Sequence, residues 1–260
     1  MLGDFRNRPQ ITRVAPYTSC AEQYDELLAR PMLPVLIGHF LRATRGRELS
    51  DCTVADVGCG SGRFVQFLED LGIGVIGVDS SAAMLKLAQR RNRSGRTLFL
   101  QQDLRILRLP KPVDMIICQF DTLNYMLRWR DLEQAFRRLS ANLVRGGYLL
   151  FDMIVMRSRT LRPTVRRFKV RLPLCNTTWS ITTTAGGIRR AQLDTRCRDA
   201  CGLERSTREL HLQRAWPLPV ILRCLRRAGL QLMNLYEARS PGESRFFFET
   251  RCSPWRCESL

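Results

Sequence analysis

The chain has 260 residues and a formal charge of +18, with ordinary apolar content for a globular protein. That length buries a real core without disulfides or metals, in one α/β domain or one domain with an elaborated lid. No apolar run approaches the ~18 residues of a membrane-spanning helix, and the first residues, MLGDFRNRPQ, lack a signal-peptide apolar stretch, so a cytoplasmic location is expected.

Residues 1–16 carry Pro9 and Pro16 and little periodicity, which predicts a loose arm. SCAEQYDELLAR reads as a helix ended by Pro31, and Met32–Thr44 as a second apolar helix; together they predict a cap over a pocket. Val54–Val57 reads as a strand and Arg63–Leu71 as a helix stopped by Gly72. Gly74–Asp79 is a second strand, with Ser80 and Ser81 supplying cap hydroxyls for a helix over Ala82–Arg91. Thr97–Gln101 and Val113–Gln119 follow as strands three and four. Asp131, with Gln134 three residues on, predicts a capping box for a helix over Leu132–Leu143, stopped by Gly146 and Gly147. Tyr148–Met153 is strand five. Strands alternating with helices imply a parallel, doubly wound sheet with right-handed crossovers.

The composition then shifts. Between Asp152 and Asp194 there is no acid, while Arg157, Arg159, Arg162, Arg166, Arg167, Lys169, Arg171, Arg189 and Arg190 supply positive charge. Val165–Leu172, Thr178–Thr184, Arg189–Arg196 and Arg205–Arg214 alternate, and Gly186-Gly187 marks a hairpin. This predicts an antiparallel insert over the pocket mouth. The core resumes with a helix over Pro217–Ala228, a strand over Leu230–Glu237, a turn at Ser240-Pro241-Gly242 and a final strand over Arg245–Cys252. The expected divisions are an N-terminal cap (1–50), a core (51–155), a β insert (156–214) and a core-completing helix and strand pair (215–260).

The ten cysteines are scattered, and the close pairs Cys197/Cys201 and Cys252/Cys257 lack zinc spacing. They read as buried or incidental thiols, with no metal site expected.

The stretch with chemistry is VADVGCGSGRF, residues 54–64. Gly58 and Gly60 let the backbone approach a ligand, and the helix start beyond offers unpaired N–H groups. A dinucleotide fold wants a small residue where Arg63 stands, so the turn suits a ligand without a pyrophosphate. Asp79, ending strand two, is placed to accept from a ribose diol. Asp103, after strand three, is placed to accept from an adenine amino group. Three acids at three consecutive strand ends form a crescent that one adenosine fits.

In this order and spacing, VADVGCGSGRF, VIGVDSSAAMLKLA, QQDL and VDMIICQFDTLNYM resemble the class I S-adenosylmethionine-dependent methyltransferases, strongly over residues 50–155 and more weakly to the closing RFFFETRC. The resemblance implies a Rossmann-like seven-stranded sheet in the order 3-2-1-4-5-7-6, the last strand antiparallel, with the β insert and helical cap added. It implies S-adenosylmethionine as the cofactor, with Asp56, Gly58 and Gly60 around its methionine moiety and Cys59 beside them. Asp79 and Ser80 would lie at the ribose, Met84 near the adenosine, Asp103 and Leu104 at adenine, and Cys118 and Gln119 beside the sulfonium. AEQYDELL and FDTLNYM resemble the small-molecule members, including amine and amino-sugar N-methylating ones, in which Tyr24 would lie over the cofactor. No Asn/Asp-Pro-Pro-Tyr/Phe motif follows strand four, which counts against planar amide or base targets.

No motif fixes a catalytic acid or base. His211, Tyr24 and Asp121 are the candidates, with Tyr17, Asn124 and Tyr125 as further lining; His39 is expected to pack. The expected activity is methyl transfer to N or O of a small molecule, mainly by proximity and orientation. An RNA methyltransferase using the basic surface and a non-catalytic cofactor-binding partner are the alternatives. The basic insert fits an anionic acceptor, but solvated arginines explain it as simply. Oligomeric state is not legible.

Overall fold

The computed structural model describes residues 11–156, 164–171, 175–198, 202–240 and 243–253. The expected turn at residues 241–242, and Cys201 and Cys257 of the two close cysteine pairs, lie outside them.

The main sheet is built from β2 (Thr53–Val57), β3 (Gly74–Asp79), β4 (Leu98–Gln101), β5 (Val113–Cys118), β6 (Leu143–Met156), β12 (Leu230–Ser240) and β13 (Glu243–Cys252). Its order is β12-β13-β6-β5-β2-β3-β4. The strands from β6 to β4 pair in parallel, while β13 is antiparallel to both neighbours, pairing Phe248 with Phe151. A short strand, β11 (Trp216–Pro217), adds to β6.

Both faces are covered, which is why the parallel strands read as apolar runs rather than alternations. On one face, Leu132, Phe136 and Leu139 of α5 (Trp129–Ala141) and Ile221 and Leu225 of α6 (Leu218–Arg227) pack on Ile116, Phe151 and Phe248. On the other, Leu36 and Phe40 of α2 (Arg30–Ala43) join Phe64, Val65 and Leu68 of α3 (Arg63–Asp70) and Leu85 of α4 (Ala82–Arg91) over Val54, Ile117 and Leu150. Gly62 permits this packing: a Cβ there would lie 2.9 Å from the Ala88 Cβ.

The second sheet, β1-β10-β9-β8-β7, comprises β1 (Ile11–Val14), β7 (Thr164–Arg171), β8 (Cys175–Thr183), β9 (Ile188–Arg198) and β10 (Glu204–Arg214). Four of these are the expected insert. The fifth corrects the reading of a loose arm, since Ile11–Val14 pairs in parallel with Ser206–Glu209. Four residues with one paired edge carry too weak a pattern to be seen in sequence.

Four further expectations are corrected. Pro31 does not end a helix: α1 (Ala21–Tyr24), a π-helical segment (Asp25–Ala29) and α2 follow one another directly, with Pro31 in the first turn of α2. The π turn just before it departs from the regular hydrogen-bond ladder that a proline interrupts. Asp131 is not a cap, because α5 begins at Trp129 and Gln134 instead donates to the Arg105 carbonyl at 2.7 Å. Gly146 and Gly147 do not stop that helix; they lie within β6, where the pairing with β5 shifts register. Cys175 and Cys197, directly opposed on β8 and β9, form a disulfide, so these are not free thiols. No helix among the described residues is long and apolar enough to cross a membrane.

Candidate functional site

The carboxyl ends of β2 and β3 and the segment after β4 meet at one rim, where a cavity of about 900 Å³ opens beneath the N-terminal helix. Tyr24, Asp56, Gly58, Cys59, Gly60, Asp79, Ser80, Met84, Asp103, Leu104 and Gln119 line it.

The turn between β2 and α3 is drawn inward by bonds from the Gly58 and Cys59 N–H groups to the Val78 carbonyl, at 2.7 and 3.0 Å. Gly58 has φ +83°, and a Cβ there would run into the Thr122 side chain. Gly60, at φ +53°, has open space on that side. The two alanine variants should therefore differ. Gly60→Ala is expected to cost only the left-handed backbone penalty, ~1–2 kcal/mol. Gly58→Ala adds overpacking, for roughly 2–5 kcal/mol in total. Thermal melts that fail to place Gly58→Ala below Gly60→Ala would contradict this contact.

Asp79 is held at both oxygens. It accepts from the Gly60 N–H at 2.9 Å and the Ser81 N–H at 2.8 Å. A carboxylate has about four acceptor positions, so two remain for a ligand. Burial raises its carboxyl above the usual range despite these bonds. Burial, and then the Asp79 charge, push Asp56 up to about 7. Two buried carboxyls side by side gain from a nearby positive charge, which favours their ionised forms, so the pair is a natural seat for a cation. Asp103 also lines the cavity, but Arg105 bonds both its oxygens and holds it below the usual range.

The cap closes over this rim by ion pairing. Asp25 in the π segment is buried, bonded by the Ser61 hydroxyl, bidentately by Arg63 at 2.8 and 2.7 Å, and by Arg91 at 2.8 Å. Arg63, expected only to obstruct a dinucleotide, thus ties the glycine turn to the cap. The cap also supplies His39, which packs as expected and does more. Burial, with Arg42 assisting, lowers its pKa to about 3, so it is neutral. The Gln119 amide donates to its Nδ1 at 2.6 Å, which leaves the buried Gln119 Oε1 without a partner.

Beside Gln119 the cavity wall is aromatic. The Tyr17 and Tyr24 rings meet edge to face at 4.7 Å, Tyr24 and Phe120 lie 5.8 Å apart, and the Tyr17 and Tyr125 hydroxyls bond at 2.6 Å. Three residues here, Tyr17, Phe120 and Asp121, hold positive φ, an uncommon cost for non-glycine residues that concentrates at functional sites.

Several predicted residues stand elsewhere. Cys118 does not line the cavity: it shares a strand face with Ile116 and is buried in the core against α5. Asp121 points away, forming a buried triad with Arg245 and Asp152, at 2.7 Å between Arg245 and Asp121 and closer still to Asp152. Asn124 bonds the Ile154 and Arg214 backbones and fixes this loop. His211 lies behind Tyr125, bonded to its hydroxyl at 2.9 Å. Sequence reasoning missed Glu209, which has no exposure and accepts from the Tyr17, Ser19 and Cys20 N–H groups, both the Ser19 hydroxyl and the Cys20 thiol, and His211. The alternation of β10 places Glu209 inward, but nothing in it announces so many donors from residues 17–20. Cys20, Glu209 and His211 lie within 4.8 Å of one another, as metal ligands would. Burial and then Glu209 raise the Cys20 thiol, which donates to the Glu209 carboxylate.

Residues 54–147 match the methyltransferase-domain family. YqeM of Bacillus subtilis (strain 168), named as a methyltransferase, is 35% identical over 142 residues, 53% of this chain and 55% of that protein. A dTDP-3-amino-3,6-dideoxy-α-D-glucopyranose N,N-dimethyltransferase of Streptomyces fradiae is 27% identical over 100 residues, 38% of each chain. The chain thus matches about half the length, or less, of these relatives. In structure, an S-adenosylmethionine-dependent methyltransferase from Clostridium acetobutylicum superposes with TM-score 0.74 at 20% identity, over 91% of this chain and 99% of that one. CalS10, an amino pentose methyltransferase from Micromonospora echinaspora, superposes with TM-score 0.66 at 22% identity, over 90% and 96%. Likeness at these identities is likeness of fold.

Proposed function

We propose that this chain, which belongs to the class I S-adenosylmethionine-dependent methyltransferases, transfers a methyl group from S-adenosylmethionine to the nitrogen of a small-molecule amine. Asp79 is the observation that carries the reading. Its backbone bonds orient it, and its remaining acceptor positions suit a ribose diol at the end of the second strand. The other residues fit the same group. The Gly60 side is open, Met84 offers an apolar wall, and the unpartnered Gln119 Oε1 is an acceptor for the ammonium of the methionine moiety. When bound, S-adenosylmethionine supplies a methyl already activated on a sulfonium, so positioning supplies much of the remaining catalysis.

Nitrogen rather than oxygen is favoured by the wall of Tyr17, Tyr24, Phe120 and Tyr125, since aromatic faces attract ammonium groups. Likeness to CalS10 and to the Streptomyces fradiae enzyme supports an amine acceptor as well. Calorimetry with S-adenosylmethionine and S-adenosylhomocysteine, then mass-spectrometric screening of amines, tests the proposal. Folded protein that binds neither compound would end it.

Asp56 gives a pH signature. S-adenosylmethionine has a net positive charge and S-adenosylhomocysteine none, so affinity for the first should rise through about pH 7 as Asp56 ionises, with a weaker trend for the second. For the unliganded fold the sign reverses. A carboxyl whose folded pKa of about 7 exceeds its ordinary 3.8 binds more protons folded than unfolded, so stability falls as pH rises between those values. Asp56→Asn should remove both slopes, read by calorimetry and by melts from pH 5 to 8. Unaltered slopes would assign the titration to another group.

A further inference from the structure

We infer that Tyr17, Tyr125, His211 and Glu209 form a relay that carries the proton away from the acceptor nitrogen during methyl transfer, a role that rests on the methyl-transfer reading above. An amine that arrives as an ammonium, or becomes one on methylation, must lose a proton, and the cavity offers few bases. Asp121 is bound to Arg245 and faces away. Asp56 and Asp79 stand at the strand-end rim, and Arg105 takes both oxygens of Asp103. The aromatic side of the cavity instead leads into a continuous hydrogen-bonded series.

The direction of every bond in that series follows from its buried end. Glu209 accepts from the Tyr17, Ser19 and Cys20 N–H groups; burial alone would raise its carboxyl, but these bonds and His211 hold it at about 2. A carboxylate only accepts, so His211 must carry its proton on Nε2, 3.2 Å from Glu209. In the neutral imidazole, the form the relay requires, His211 Nδ1 is left bare and accepts from the Tyr125 hydroxyl at 2.9 Å. The Tyr125 oxygen in turn accepts from the Tyr17 hydroxyl at 2.6 Å. All donors in the series point inward, and Tyr17, at its outer end, lines the cavity.

The step balances as follows. The acceptor nitrogen's lone pair forms the bond to the methyl carbon while the carbon–sulfur bond breaks, its electron pair staying on the sulfur, which becomes a neutral thioether. The nitrogen's proton passes to the Tyr17 oxygen, the Tyr17 hydroxyl proton to Tyr125, and the Tyr125 proton to His211 Nδ1. Burial pushes both phenols well above their ordinary range, so they hand the proton on rather than hold charge as phenolates. The imidazolium formed lies against the Glu209 carboxylate, which stabilises it as a buried acid does in other carboxylate–imidazole pairs. After the product leaves, the proton returns through the same hydroxyls to water. Tyr17 touches the acceptor; His211 and Glu209 act through it as positioning and proton-storing residues.

Two measurements on the full chain test the relay. With only two histidines in the sequence, long-range 1H–15N spectra of the 15N-histidine-labelled protein saturated with S-adenosylhomocysteine report each tautomer directly. The relay requires the His211 proton on Nε2; a proton on Nδ1 overturns it, whatever the activity. Methyl transfer to D-glucosamine, used as a primary-amine probe, gives the second readout. His211→Gln keeps a polar side chain but cannot take up a proton, and should lower kcat about 100-fold, within the usual range of general acid–base catalysis, with cofactor affinity within about twofold of the parent. The rise of rate with pH should move upward, and Tyr125→Phe should lose a similar factor. The double variant should lose no more than the larger single one, because both interrupt one path. An unchanged kcat and pH profile in His211→Gln overturns the relay. Failure of the parent to bind S-adenosylmethionine is a different result: it removes the methyl-transfer reading and leaves the tautomer as a separate fact.

Discussion

Replacing Asp79 with alanine is expected to weaken S-adenosylmethionine binding by at least about 100-fold. Two hydrogen bonds from a ribose diol to a carboxylate are worth ~1.5–3 kcal/mol each, or roughly 3–6 kcal/mol together. The loss extends to the turn, because the Gly60 and Ser81 N–H groups lose the acceptor that orients them. The sheet itself should survive, since β3 remains paired on both sides through Ile76–Val78. Asp79→Asn is the informative companion. It retains one oxygen and should fall between parent and alanine, with a larger defect for the cationic cofactor than for its neutral product. Calorimetry measures both, and circular dichroism checks the fold. An alanine variant that binds normally would remove Asp79 from the ribose and with it the central support for the proposed cofactor site.

The largest stability loss is expected from Arg245→Met. The guanidinium lies buried between Asp152 and Asp121. Burial alone would depress it, but the two carboxylate charges outweigh burial and hold it above its ordinary range. Methionine of similar length leaves two buried carboxylates facing each other without a counter-charge, a break that costs ~3–5 kcal/mol. At ~2–4 °C per kcal/mol for a chain of this size, the melting temperature should fall by roughly 10 °C. The pH dependence identifies the cause. Without Arg245 the folded state favours protonated carboxyls, so the deficit should be smaller at pH 5 than at pH 8. Adding Asp152→Asn to the variant should recover part of the loss. A deficit that is the same at both pH values would mean that packing, not charge, is what Arg245 contributes. The effect should also reach the site, since Asp152 accepts from the Phe120 N–H and Arg245 lies 5.6 Å from the Phe120 ring, steadying a residue at positive φ.

What could be read in advance was what lies close together in sequence. Asp56, Gly58, Gly60 and Asp79 fall within two strands and one turn, and their spacing alone implies a strand-end pocket. The β insert was visible because alternation is local. What escaped depends on distant partners. Asp25 is one acid among several in a helix until Arg63 and Arg91 close on it. Asp152 looked like the end of a strand, and Arg245 like one arginine among many. Cys118 shows a different limit: residue type and position suggested the cavity, but strand parity turns it into the core, and its neighbour Gln119, one residue past the strand, faces the cavity instead. Pro31 shows a third, because a breaker rule has no account of a π turn just before it. The disulfide needed the register of β8 against β9, which joins Cys197 to Cys175 rather than to Cys201, its nearer neighbour in sequence.

The bonds from Tyr17, Ser19 and Cys20 to Glu209 have a consequence for how the protein is made. Tyr17 and Glu209 are separated by 192 residues. At a synthesis rate of ~5–20 residues per second, the cap emerges from the ribosome roughly 10–40 s before its anchor exists. During that interval Tyr17, Tyr24, Leu36 and Phe40 have no finished surface to cover. The segment around Tyr17 should therefore stay unanchored, and open to aggregation or to capture by chaperones, until β10 has emerged and paired.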